Sequence, residues 1–229
     1  MALMSKDSGG STFEPVPEGT HVARCVSVVD LGVQETAYGA KEKVHIAFEV
    51  PGIRVKWERD GNEHEGPALI NATYNNSIHE KSVLGQTLVS WRGKAFTDDE
   101  RKGFDLFTIL GVPGMISVTH KEVNGKTYAN ITGIMRLPQG MECPPAETDL
   151  LKYSPMDEST EDNFQKLPEW LQNKVRSGFK MAEDATKVGS AVSPTPAPGS
   201  AREAALAAAH GTPVGNAAVD DWDEEIPFR

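Results

Sequence analysis

Cysteine is scarce in this chain: Cys25 and Cys143 are the only two in 229 residues. Two isolated thiols supply neither a disulfide scaffold nor a zinc site. Long apolar runs are missing as well, and none approaches the ~20 residues that a bilayer-spanning helix needs. No basic start, apolar stretch and cleavage site opens the chain, so it reads as soluble and cytoplasmic. Catalytic patterns are also lacking. The six histidines, His21, His45, His64, His79, His120 and His210, are scattered, and none stands in a metal-ligand pattern such as HExxH. His21 and Cys25 are four apart but in a predicted strand, where that spacing does not converge. There is no phosphate-cradling glycine loop and no nucleophile elbow. Asp98 and Asp99 sit beside a helix start, where capping accounts for them. The sequence predicts no enzyme, no cofactor and no metal.

A surplus of positive charge is missing too, yet the deficit is uneven. Residues 1–140 carry 15 basic against 17 acidic side chains, and residues 141–229 carry 8 against 16, which together give the net −10. Strong acidity would argue against a nucleic-acid partner. Here most of the acid lies outside the segment that reads as the folded domain.

That segment spans residues 13–140. His21–Asp30 is Val-rich and predicts a strand. In Lys43–Val50, Val44, Ile46, Phe48 and Val50 alternate with Lys43, His45, Ala47 and Glu49, a half-buried strand. Arg54–Trp57 extends it beyond a Pro51-Gly52 kink. Ala68–Tyr74 predicts a third strand, His79–Trp91 a helix, and Met115–Lys121 and Thr127–Leu137 two more strands. Asn124-Gly125 between the last two signals a tight hairpin. Trp91 and Phe96 read as staples between helix and sheet, Gly93 as a helix C-cap, and Phe104–Leu110 as core. Three strands, a helix and a two-stranded hairpin is the order of the OB-fold, a five-stranded barrel with a helix between strands three and four.

Around this domain, residues 1–12 are polar and Gly/Ser-rich and read as disordered. Residues 141–183 form a Pro-containing connector and an appended helix. Phe164, Leu167, Leu171 and Val175 make one apolar stripe, and Pro168 marks the firm helix start. The stripe fits packing on its own barrel or on a neighbour's, so oligomeric state stays open. Residues 184–229 read as a disordered Ala/Pro/Gly-rich linker closing on an acidic tail.

Sequence-tolerant single-strand binding needs a cationic groove and aromatic faces for unstacked bases. In OB-folds that groove lies over strands two and three, between the loops joining strands one–two and four–five. The first loop and second strand offer Tyr38, Lys41, Lys43, His45, Arg54, Lys56 and Trp57. The third strand ends in Tyr74, and the second loop offers Lys121, Lys126 and Tyr128. Trp57 also fits a packing role and Tyr128 a rim role. Tyr74, in phase with Ile70 and Ala72, fits a core position equally.

The tail reads Asp220, Asp221, Trp222, Asp223, Glu224, Glu225, Ile226, Pro227, Phe228, followed by Arg229. It resembles the acidic tails of bacterial single-stranded DNA-binding proteins, except that those end on Phe. The body, in EGTHVARCVSVVDLGVQ, KEKVHIAFEV, EKSVLGQTLVSWRGKAFTDDE, KGFDLFTILG, VNGKTYANITGI and a later LPEWLQ, resembles bacteriophage-encoded single-stranded DNA-binding proteins with an OB-fold. The resemblance implies a replication or recombination accessory that coats single-stranded DNA in a bacterial host's cytoplasm. Its tail would recruit partner enzymes or shield the groove. A protein-interaction adaptor that mimics a host tail, and an RNA-binding OB protein, are the alternatives.

Overall fold

The computed structural model describes residues 14–59 and 62–189. The Val-rich opening of the domain forms β1 (Gly19–Gln34), which is buried on both faces along its second half. Its first half, Gly19–Arg24, pairs antiparallel with β4 (Pro113–Val123), and from Arg24 to Gln34 it pairs antiparallel with β2 (Lys41–Arg59). Two register shifts, at Cys25/Ser27 and Asp30/Gly32, bend the strand between these partners. β2 pairs with β3 (Asn62–Asn75), and β4 pairs with β5 (Lys126–Met135) through Asn124 and Gly125, both at positive φ (51° and 75°). That turn is the primed hairpin predicted from Asn-Gly.

The order β3-β2-β1-β4-β5 makes a curled antiparallel half-barrel whose outer strands, β3 and β5, approach each other. The fold is mainly β and OB-like, as the sequence predicted. Val28, Val44, Ile46, Phe48, Ile70, Ile116 and Ile131 fill its interior. Between β3 and β4 lie α1 (Val83–Arg92) and the short α2 (Asp98–Lys102). Ser82 caps α1 by accepting from the Gly85 N–H at 3.1 Å, and Gly93 closes it at φ 70°. Leu84, Leu88 and Trp91 turn into the core. Trp91 lies 5.4 Å from Phe48 between ring centres and donates to the Pro113 carbonyl at 2.9 Å. Asp98 and Asp99 lie in the first turn of α2, between Thr97 and Glu100 of its capping box, at the helix start predicted for them.

The connector holds an element the sequence did not reveal. β6 (Leu151–Tyr153) runs parallel to β1 at Ser27–Val29, on the edge β4 has left. Three residues are too few for a periodic signal. A 3-10 turn over Glu158–Lys166 leads to α3 (Glu169–Gly189), whose start at Pro168 matches the prediction and whose end lies beyond position 183. Phe164 falls in the turn rather than the helix. Leu167, Leu171 and Val175 do form a buried stripe, packed with Tyr153 on Val29 and Leu31 of this chain's own β1. This second apolar layer explains why β1 is buried on both faces. The predicted disordered segments fall almost wholly outside the described residues.

Candidate nucleic-acid interface

The β2–β3 ribbon projects past the barrel. Its register slips at Pro51–Ile53, so that Val50 faces Ala68 and Arg54 faces Pro67. The slip inverts the alternation along β2. Before it, even-numbered residues face the core; after it, odd-numbered ones do, and Val55 packs on the core cluster. Trp57 therefore lies on the face opposite to Arg54 and Lys56, and the three do not share one surface. Trp57 is 37% exposed and stacks on its cross-strand partner His64 at 5.9 Å and 18°. Gly66 lets the indole lie across β3, since a Cβ there would stand 2.9 Å from the ring. On the other face Arg54 pairs with Glu147 at 2.6 Å and Glu65 at 3.5 Å, and Lys56 with Glu63 at 3.0 Å. These carboxylates, Glu147 foremost for Arg54 and Glu63 for Lys56, raise both cations' pKa values. A phosphate at either must displace an existing partner.

The two loops that flank an OB groove carry the other candidates. The β1–β2 turn, tied by Thr36 and Gly39, holds Tyr38 65% exposed, with the Lys41 ammonium 5.5 Å from the ring centre. A ring held open to solvent beside a cation is suited to a base and its phosphate. In the β4–β5 hairpin Lys121 stands directly across from half-buried Tyr128, and Lys126 is exposed beside the turn.

Two candidates are corrected by burial. Tyr74 is 5% exposed within the barrel core, where burial pushes its phenol pKa up. The phase it shares with Ile70 and Ala72 decides its place. Lys43 is 8% exposed, and its strand neighbours His45 and Glu49 are buried with it. The solvent face of β2 read from the alternation is covered by the chain's own C-terminal segment. Glu49 accepts the backbone N–H groups of Glu147 and Thr148 at 3.0 and 2.8 Å. Arg24 bonds the carbonyls of Gly111, Cys143 and Pro144 and straps the connector down. His45 lies edge-on to Trp170 of α3 at 5.4 Å, its pKa lowered to about 3 by burial and then by the charge of Lys174. Alternation within one strand carries no information about a layer supplied 100 residues later. Trp170 and Lys174 were missed for that reason, and His64 because its stack on Trp57 depends on the register across the β2–β3 ribbon.

Among the described residues no group of three or more His, Cys, Asp or Glu side chains could hold a metal ion, and no helix is long and apolar enough to cross a membrane. Cys25 is buried with its thiol pushed up to about 12, which leaves it unreactive. The tail candidates, Asp220 to Phe228, lie outside the described residues. No protein-family model matches the chain, and no curated protein matches its sequence.

Proposed function

We propose that this protein binds single-stranded DNA without turnover and with little sequence preference, as a phage replication or recombination accessory in the cytoplasm of a bacterial host. The observation that carries this reading is the exposed Tyr38 ring beside Lys41 on a groove-flanking loop of an OB-like half-barrel. The Trp57–His64 stack offers a second aromatic face. Titration with labelled oligo-dT tests it. Saturable binding with quenched tryptophan emission is expected, with Tyr38→Ala and Trp57→Ala each losing about 1–3 kcal/mol of binding. No saturable binding would sink it. Matched RNA oligomers would reveal any ribose preference.

A second reading, a protein-interaction adaptor working through residues 220–229, is favoured by one observation: Arg54 and Lys56 already hold carboxylate partners. Under that reading oligonucleotides fail to bind, while the isolated tail peptide still captures partner enzymes.

A further inference from the structure

The slip at Pro51–Ile53 is confined to β2, and β3 runs through it unbroken: Pro67 and Ala68 are consecutive, yet their partners are Arg54 and Val50. Gly66 and His64 therefore stay on the side of β3 that carries Ala68 and Ile70 into the core. On β2, Ile53 and Val55 pack on the core from this side, and Trp57 follows them beyond the barrel. The ribbon thus continues the inner face of the barrel into solvent. There Trp57 meets two residues of β3. His64, exposed and directly across, stacks on the indole. Gly66, two residues on, is buried, and a Cβ there would stand 2.9 Å and 3.2 Å from the far edge of the six-membered ring. The indole is seated against the strand because a side chain is missing. The described side chains of this face, Ile53, Val55, Trp57 and His64, include no carboxylate. The ribbon's acids, Glu63 and Glu65, lie on the other face with Glu147 of the connector, and there they hold Lys56 and Arg54.

We propose that Trp57, His64 and Gly66 form one base-stacking platform: the single strand crosses the ribbon on this face with bases on the two rings, and Gly66 is a positioning residue that seats the indole where a base meets it. Arg54 and Lys56, on the opposite face, take no phosphate. The proposal rests on the single-strand reading above and deepens it by naming the face used and the residue that sets it. Stacking tolerates any sequence because every base has a π-face. A phosphate taken by Arg54 or Lys56 would instead come to lie beside the carboxylates those cations had left, which repel it.

The test is oligo-dT anisotropy on the full chain across a salt series, with a thermal melt of each variant. Trp57→Ala should weaken binding about fivefold or more with the log–log salt slope unchanged, and Trp57→Phe should recover most of that loss. His64→Ala should weaken it roughly two- to fivefold. Gly66→Ala separates positioning from packing. Gly66 is not at positive φ, so alanine fits its backbone, and the methyl group meets only the far edge of a ring that can swing aside. Its melting temperature should stay near that of wild type while binding weakens about threefold or more. Wild-type affinity in Gly66→Ala overturns the positioning role. Should Gly66→Ala melt early, the contrast between Trp57→Phe and Trp57→Ala carries the test, and equal losses in both overturn the platform. Arg54→Gln and Lys56→Gln should keep the wild-type slope. A slope flattened by about 0.7, one phosphate's share on a single strand, would put the charged face in contact and overturn the choice of face. If Trp57→Ala and Gly66→Ala both bind as wild type while Tyr38→Ala weakens binding, the platform is wrong and the single-strand reading stands. If wild type itself shows no saturable binding, both fall.

Discussion

Between pH 6.5 and about 3, His45 tilts the stability of the whole domain. Its folded pKa is depressed, so the unfolded chain takes up a proton in this window and the native state does not. Stability is therefore complete above the unfolded value and is lost as pH falls toward the folded one, by at most about 1.4 kcal/mol per pH unit. Urea denaturation of wild type at pH 6.5, 5.5 and 4.5 should show that loss, and His45→Gln should flatten it. Tyr74 makes the complementary case. Tyr74→Ala is expected to cost about 3–5 kcal/mol of stability while the remaining folded fraction binds oligonucleotide as wild type does. A binding defect at full stability would return Tyr74 to the interface. Tyr74 falls where its phase with Ile70 and Ala72 places it, whereas His45 shows the limit of single-strand periodicity. It identified the core face of β2 correctly, yet it read the opposite face as solvent because Trp170 and Glu147 approach from far along the chain.

Elements were legible where a local signal exists. The Asn124-Gly125 turn, the Gly93 cap and the Val44–Val50 alternation each act over a few residues. The ribbon beyond Pro51 was half legible. Its strand β2 carried apolar Val55 and Trp57, whereas Asn62–Gly66 of β3 is polar and is held in register by the Trp57–His64 stack and by the Arg54–Glu65 and Lys56–Glu63 ion pairs. The three-residue slip that places Trp57 away from Arg54 has no sequence signature other than Pro-Gly. For α3, docking rests on Gly178. Gly178→Ala should destabilise the fold by about 1–3 kcal/mol as the helix is pushed off Leu31, read in a thermal melt. An unchanged melting temperature would mean that the helix shifts without loss.

At the scale of the whole molecule, charge is the variable that connects the parts. The acidic half of the chain, net −8, includes the tail at 220–229, and clustered carboxylates imitate a polyanion whose attraction to lysines is screened by salt. Deleting 220–229 should raise DNA affinity at low salt and leave it unchanged at high salt. Equal affinity at every salt concentration would exclude shielding. The charge asymmetry itself was legible in the sequence, because net charge and its distribution need no tertiary information.

The parallel pairing of β6 with β1 has a consequence for synthesis. A ribosome releases β1 through β5 before Leu151–Tyr153 exists. During that interval Val29 and Leu31 stand bare, and the hydrogen-bonding groups of Ser27–Val29 are open on one edge. A nascent chain at this stage carries a sticky seam that its own later residues cover. Chains that stop near position 140 should cling to one another, whereas those that reach α3 should not.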